Sequence, residues 1–158
     1  MVRVAVLVSG GGTNLQALLD AKARGAIPHG EIALVVADRE GAGALDRARR
    51  AGVPALVQKR EEGMSREAYG ALLLEIFQKN RIDFVVLAGF LTMLPPGVVQ
   101  GYAGRMINVH PSLLPAFGGA GCYGLRVHEA ALARGVKLTG ATVHLVNEEI
   151  DGGPILAQ

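Results

Sequence analysis

A short apolar run with two polar residues occupies positions 106 to 115 and reads Met106-Ile107-Asn108-Val109-His110-Pro111-Ser112-Leu113-Leu114-Pro115. In a strand, side chains two positions apart project to one face, so Asn108 and His110 are predicted to point the same way at a strand end. Histidine titrates nearest neutrality, and an asparagine amide donates hydrogen bonds without being protonated. The pair therefore suits proton transfer and stabilisation of an oxyanion. A buried pair that backbone groups satisfy is the alternative.

Two features around this pair favour the chemical interpretation. No Asp, Glu, Lys or Arg occurs from position 107 to 125, where glycine is frequent. Downstream, Asp151 lies in the turn sequence Glu148-Glu149-Ile150-Asp151-Gly152-Gly153-Pro154, which follows a strand pattern. An Asp–His–Asn set drawn from two strand ends is predicted to form an acyl-transfer site.

Composition limits the classes of protein that fit. The chain has 158 residues, half of them hydrophobic, which predicts a single domain over residues 1–158 with a substantial core. A net charge of +2 and 4% aromatic residues argue against nucleic acid and membrane partners. Pro95 and Pro96 interrupt the longest uncharged span, so no membrane helix is expected. The single cysteine, Cys122, excludes a disulfide framework and a multi-cysteine zinc site, and it favours a cytoplasmic protein.

Strand and helix patterns alternate along the chain. Apolar, Val-rich strand patterns occupy residues 2–8, 31–37, 54–57, 83–88, 105–109 and 137–146, and a last one starts at 155. Helical patterns occupy residues 15–20, 42–50, 66–79 and 126–134. This alternation predicts an α/β fold, doubly wound, with a mostly parallel sheet and helices on both faces. Because a strand pattern ends the sequence, the C-terminal elements of such a fold, including a covering helix, are expected to be missing.

A glycine-rich loop, Ser9-Gly10-Gly11-Gly12-Thr13-Asn14, joins the first predicted strand to a helix. Backbone N–H groups in such a loop face an anion at the positive end of the helix. The loop matches neither a dinucleotide fingerprint nor a Walker motif, so it predicts one phosphate group, with a tight turn that binds nothing as the alternative. Arg66 follows the N-cap Ser65 in the first turn of another helix, where a cation opposes the helix dipole. Arg66 therefore suggests an anionic ligand, and a solvated surface arginine is the alternative.

The segment Gly89-Phe90-Leu91-Thr92-Met93-Leu94 leaves the fourth predicted strand as an apolar loop. It suits a flat, mostly apolar ligand, and core packing is the alternative. In mostly parallel sheets, ligands bind outside the carboxyl ends of the strands. Both loops, the Asn108–His110 pair and Asp151 all fall at predicted strand ends, so we expect one site. His144 is the rival catalytic histidine, ranked second because it lies inside a predicted strand.

These residues resemble the glycinamide ribonucleotide formyltransferases, the folate-dependent enzymes of purine synthesis. The resemblance covers essentially the whole chain. The combination of Asn108-x-His110 with Asp151 is typical of the formyltransferase superfamily, and the glycine-rich loop is similar to that of the glycinamide ribonucleotide branch. Further similar segments are Ser65-Arg66-Glu67-Ala68-Tyr69 and Val86-Leu87-Ala88-Gly89-Phe90.

The resemblance implies transfer of a formyl group from 10-formyltetrahydrofolate, as co-substrate, to the amine of glycinamide ribonucleotide. It implies a Rossmann-like formyltransferase fold, no metal, and a homodimer among the expected assemblies. Asn108 and His110 would stabilise the tetrahedral oxyanion, and Asp151 would help to relay a proton through water. The residues implied to hold the substrate phosphate are Gly11, Gly12, Thr13, Asn14 and Arg66. The residues implied to hold the folate, largely through the backbone, are Leu91, Thr92, Met93, Leu94, Val146, Asn147, Glu148 and Ile150.

Two other classes of function compete with this expectation. Within the superfamily, the chain could be a formyltetrahydrofolate hydrolase or a formyltransferase that acts on tRNA or on a sugar nucleotide. Outside catalysis, it could be a nucleotide- or folate-binding module. The phosphate loop favours a small phosphorylated substrate.

Overall fold

The computed structural model describes all residues from 1 to 158 and contains seven strands and five helices. The strands are β1 (Val2–Val8), β2 (Gly30–Ala37), β3 (Ala55–Val57), β4 (Phe84–Leu87), β5 (Met106–His110), β6 (Thr142–Leu145) and β7 (Ile155–Ala157). The helices are α1 (Thr13–Ala23), α2 (Gly43–Arg50), α3 (Arg66–Lys79), α4 (Pro96–Gly101) and α5 (Leu125–Arg134).

All seven strands form one sheet in the order β3-β2-β1-β4-β5-β6-β7. Strands β1 to β5 are mutually parallel, while β6 runs antiparallel to both β5 and β7. The prediction of a doubly wound, mostly parallel sheet is therefore confirmed, with the antiparallel β6 as the exception.

Side chains that alternate along the central strands pack into two separate hydrophobic cores, one on each face of the sheet. On β1, Ala5 and Leu7 are buried in one core with α3 and α4, while Val6 and Val8 are buried in the other with α1 and α2. Successive strand residues point to opposite faces, and burial on both faces explains why these strands are continuously apolar. The two cores hold the carboxyl ends of β1, β2 and β4 rigidly side by side.

The helices mostly match their sequence patterns. Ser65 caps α3 as predicted, since its hydroxyl accepts a hydrogen bond from the backbone N–H of Ala68 at 3.0 Å. The short helix α4 was not predicted, because two prolines and a glycine are typical of a loop, although proline is well tolerated in the first turn of a helix. None of the helices combines the length and apolar character needed to cross a bilayer.

The prediction for residues 137–146 was partly wrong. The strand begins only at Thr142, and residues 137–141 lie outside it. β5 also extends one residue beyond its predicted end, so His110 is its last residue. These shifts change which groups face one another, because His110 pairs with Thr142 and Asn108 pairs with His144 in the antiparallel register.

Candidate active site

The site lies where the order of the strands reverses. In the sheet, β2 lies on one side of β1 and β4 lies on the other. The loops after β1 and β4 therefore leave the sheet in opposite directions, and a crevice forms between them. The first is the glycine-rich loop, and the second is the segment 89–94, here called the apolar loop. A backbone hydrogen bond of 3.2 Å from Ser9 N–H to the Gly89 carbonyl joins them.

His110 ends β5 and is buried with 3% of its surface exposed. Its Nδ1 lies 3.5 Å from Oδ2 of Asp151, and its Nε2 lies 2.8 Å from the backbone carbonyl oxygen of Phe117. Both neighbours are hydrogen-bond acceptors. The imidazole of His110 therefore lies between two groups that can each accept an N–H from it.

Asn108 and His144 face each other across β5 and β6. The Asn108 amide lies 3.1 Å from Nε2 of His144, and Nδ1 of His144 lies 2.9 Å from its neighbouring carbonyl on Leu145. Because a carbonyl oxygen only accepts and an amide nitrogen only donates, Nδ1 of His144 donates and its Nε2 accepts in these contacts. The same Nε2 is 3.8 Å from Oδ1 of Asp151. The structure thus brings together the three predicted catalytic residues and adds His144, which the sequence ranked second.

Asp151 reaches this cluster by a different route from the one predicted. The turn sequence after a strand pattern predicts Asp151 at the carboxyl end of a strand beside His110, but β6 is antiparallel, so its carboxyl end lies level with the start of β5. The connection from β6 to β7 turns back so that Asp151 contacts both histidines. Its backbone is left-handed, with φ 54°, and Oδ2 accepts a hydrogen bond from Gly119 N–H at 2.9 Å. The loop after β5 therefore helps to hold the Asp151 carboxylate in place through the Gly119 N–H.

The glycine-rich loop ends at the amino terminus of α1, as predicted. Gly12 occupies the N-cap in a left-handed conformation with φ 76°, and Thr13 and Asn14 are exposed. A Cβ on Gly12 would lie 2.6 Å from Cβ of Ala44, so only glycine fits against α2. Arg47 of α2 donates from Nε to the Gly11 carbonyl at 2.7 Å, which fixes the loop with its N–H groups free to face a ligand.

Arg66 is predicted to hold the phosphate with the glycine-rich loop, but its side-chain hydrogen bond in the structure is to another segment. Its guanidinium donates to the Leu94 carbonyl at 3.2 Å and makes no hydrogen bond to the loop. The Arg66 guanidinium thus lies next to the apolar loop, and its positive charge is close to any ligand that binds at this loop.

The apolar loop presents its side chains alternately. Leu91 and Met93 are 48% and 55% exposed, so both side chains are accessible to a ligand. Leu94 is only 8% exposed and packs in the core with α3 and α4, so it offers a ligand backbone groups at most. Thr92 turns inward and donates to Asp38.

The predicted folate segment 146–150 lies between β6 and Asp151. Val146 packs partly on the core, and the Asn147 side chain accepts the backbone N–H of Glu149 at 3.0 Å, which forms a tight turn. Gln100 of α4 donates to Glu148 at 2.7 Å. Ile150 is exposed beside Asp151.

Sequence reasoning missed Asp38, which directly follows β2 and is buried. Its Oδ2 accepts from Ser9 Oγ and from Thr92 Oγ1, both at 2.7 Å, and Arg39 donates to both carboxylate oxygens at 2.8 and 3.1 Å. Burial by itself raises the pKa of Asp38, but hydrogen bonds from Arg39, Thr92 and Ser9 outweigh it and hold the pKa below its ordinary value. Burial, with the nearby Asp38 charge, raises the pKa of Tyr69 to about 12. The sequence does carry one signal for Asp38, because it is an acidic residue directly after β2, the strand that pairs with β1.

No group of three or more His, Cys, Asp or Glu side chains is arranged to hold a metal ion. The reactive groups of the site are the Asp151 carboxylate, the imidazoles of His110 and His144, and the Asn108 amide, which lie close together. Such a set can hold a proton and stabilise a developing negative oxygen.

Comparison with known proteins supports this description. The model of the formyl transferase family matches residues 2–158. The chain is 42% identical to the chloroplastic phosphoribosylglycinamide formyltransferase of Arabidopsis thaliana, with 99% of this chain and 53% of that protein covered. It is 41% identical to the phosphoribosylglycinamide formyltransferase of Escherichia coli K12, with 99% of this chain and 71% of that protein covered.

Among solved structures, the glycinamide ribonucleotide transformylase 1 of Symbiobacterium toebii superposes with a TM-score of 0.91 at 46% identity, covering 100% of this chain and 72% of that one. The chain spans about half the length of the plant relatives that it matches. The family model covers nearly every residue, and the E. coli relative is covered over more than two thirds of its length. The chain therefore belongs to the formyl transferase family.

Proposed function

We propose that this protein transfers a formyl group from 10-formyltetrahydrofolate to the amine of glycinamide ribonucleotide, in purine biosynthesis. One observation carries the proposal: His110 is buried between the Asp151 carboxylate and a backbone carbonyl, beside the Asn108 amide. This set of groups lies at the carboxyl end of β5, at the same edge of the sheet as the glycine-rich loop that follows β1.

In the proposed reaction, the lone pair of the substrate amine forms a C–N bond to the formyl carbon, and the carbonyl π pair moves onto oxygen. The Asn108 amide donates to that oxyanion, and protonated His110 donates to it with the N–H that faces the Phe117 carbonyl in the free protein. Collapse of the intermediate re-forms the carbonyl and breaks the bond from carbon to N10 of the folate. The proton that the amine loses passes through water beside Asp151 to N10.

The two loops at the crevice would hold the two substrates. Backbone N–H groups of Gly11 and Gly12, with the side chains of Thr13 and Asn14, would hold the ribonucleotide phosphate at the positive end of α1. The folate ring would lie against Leu91 and Met93 and along the segment 146–150. Because Arg66 contacts Leu94, its charge suits an anionic part of the folate better than the phosphate.

Formyltetrahydrofolate hydrolysis is the second candidate, since water in place of the amine would use the same three residues. The glycine-rich loop favours the transferase, because a hydrolase has no phosphorylated acceptor to bind. Relatives named as phosphoribosylglycinamide formyltransferases point the same way.

The test is a His110→Ala variant with His128→Ala as control, because His128 is exposed on α5. Formyl transfer should fall by about a hundredfold or more in His110→Ala, the scale of a lost general acid–base group. Ribonucleotide affinity, measured by calorimetry, should stay within twofold, and His128→Ala should match the wild type. Unchanged turnover in His110→Ala would contradict the role given to this residue.

The proposal extends to the organisation of the protein. Residues 1–158 would act as one formyltransferase domain in the cytoplasm, as a monomer or a homodimer. The unpaired Cys122 is consistent with a reducing compartment. Fractionation of cells that express a tagged chain would test the location.

A further inference from the structure

We infer that Asp38 is a positioning residue that fixes the apolar loop for binding of the formyl donor, acting through Ser9 and Thr92. This inference deepens the proposed function and rests on it for the identity of the ligand. Asp38 is distinct from the catalytic cluster, since it makes no hydrogen bond to Asn108, His110, His144 or Asp151.

Three strand ends meet at this carboxylate. Ser9 follows β1, Asp38 follows β2, and Thr92 lies in the loop after β4. Thr92 donates directly to Asp38 Oδ2 at 2.7 Å. Ser9 donates to the same oxygen at 2.7 Å and accepts the backbone N–H of Leu91 at 2.8 Å. Two consecutive loop residues are thus tied to one buried oxygen.

The negative charge of Asp38 sets the direction of these bonds. Oδ2 accepts three donors, from Ser9, Thr92 and Arg39, and Oδ1 accepts a further N–H from Arg39, so both oxygens of the side chain act as acceptors. Because the Ser9 hydroxyl gives its hydrogen to Asp38, its lone pairs remain free for the Leu91 N–H. An asparagine has one acceptor oxygen and no charge, so its NH2 group must face at least one of these donors and the remaining bonds become weaker.

These hydrogen bonds determine which side chains of the apolar loop are exposed to a ligand. Thr92 is held inward, so the side chains of its neighbours Leu91 and Met93 are turned outward and about half exposed. Burying them against a folate ring is favourable only if the loop is already in place, because ordering a loop on binding opposes affinity. Loss of these hydrogen bonds should therefore weaken binding of the formyl donor more than it slows the chemical step.

The test uses Thr92→Val, which replaces the hydroxyl by a methyl group at nearly constant shape, with Thr92→Ser to keep the hydroxyl and Asp38→Asn to remove the charge. Asp46→Asn is the matched control, because Asp46 also pairs with an arginine but is exposed on α2. Backbone hydrogen exchange is followed for residues 89–94. Affinities for 10-formyltetrahydrofolate and for glycinamide ribonucleotide are measured separately by calorimetry.

We expect exchange of the Leu91 amide to become at least tenfold faster in Asp38→Asn, with donor affinity about tenfold weaker in both Asp38→Asn and Thr92→Val, the scale of one hydrogen bond to a charged group. Thr92→Ser should recover most of the donor affinity, which a change of packing alone would not do. Ribonucleotide affinity should change less than twofold in every variant.

Unchanged exchange in Asp38→Asn and unchanged donor affinity in Thr92→Val would overturn the inference. A wild type that binds neither substrate would instead overturn the proposed function. In that case the exchange rates alone would still decide whether Asp38 fixes the loop. If Asp38→Asn fails to fold, Thr92→Val and its serine counterpart carry the same comparison.

Discussion

The Asn108 amide donates to Nε2 of His144 across the antiparallel pair of β5 and β6, at 3.1 Å. The bond holds the amide at a fixed angle, and one of its two N–H groups remains to stabilise an oxyanion. His144 is itself fixed through Nδ1 to the Leu145 carbonyl. His144 thus orients the amide to which the proposed mechanism assigns the oxyanion.

Replacing His144 by alanine should release the Asn108 amide. We expect kcat to fall by about tenfold to a hundredfold, less than the loss of an oxyanion donor itself, while KM for both substrates stays within a few-fold. Steady-state kinetics of formyl transfer measures both quantities. His29→Ala, at an exposed position, is the control. A kcat equal to that of the wild type would show that Asn108 is oriented by other contacts.

A second prediction concerns the close contact between the glycine-rich loop and α2. Gly12→Ala places a Cβ at 2.6 Å from Ala44 in a residue with φ 76°, so the loop or the helix must move. The variant should lose about 1–3 kcal/mol of unfolding free energy and bind the ribonucleotide more weakly. Gly10→Ala is the control for stability, since nothing lies within 4 Å of its added Cβ. Equal stability of the two variants in urea unfolding would contradict this packing.

The pKa of Asp38 links the apolar loop to acid stability. Arg39, Thr92 and Ser9 hold this pKa below its ordinary value of 3.8 against the opposing effect of burial, and the other titratable group that senses its charge is Tyr69. A carboxyl whose pKa is lower in the folded state stabilises the protein above the unfolded value. That stabilisation is lost as the pH falls through the folded pKa.

The free-energy difference between wild type and Asp38→Asn should therefore be largest above about pH 5, at roughly 2 kcal/mol, the cost of disrupting a buried, hydrogen-bonded charge. It should shrink as the pH falls below 3.8. Urea unfolding at a series of pH values measures the difference, with Asp46→Asn as the exposed control. A difference that stays constant down to pH 2 would contradict an ionised Asp38 in the folded protein.

The sequence predicted the parallel part of the sheet well, because strands buried on both faces are continuously apolar and the helices between them have their own period. It could not predict the direction of β6, since alternation of apolar and polar residues is the same in either direction. The interior position of His144 therefore counted against it, although the antiparallel register pairs it with Asn108.

Long-range hydrogen bonds explain the other differences. Asp38 and Thr92 are 54 positions apart, and nothing in either local pattern indicates that they touch. Arg66 was assigned to the phosphate because of its place at a helix start, but its contact with Leu94, 28 positions away, depends on how α3 packs beside the apolar loop. Local patterns predicted which residues were chemically unusual, whereas the fold determined their partners.

The most direct test of the account is to follow consumption of 10-formyltetrahydrofolate by this chain with and without glycinamide ribonucleotide. We expect the donor to be consumed only when the ribonucleotide is present, with one formylated ribonucleotide formed for each donor lost. Consumption at the same rate without the ribonucleotide would mean that water is the acceptor. That result, or no consumption with both substrates bound, would contradict the proposed formyl transfer.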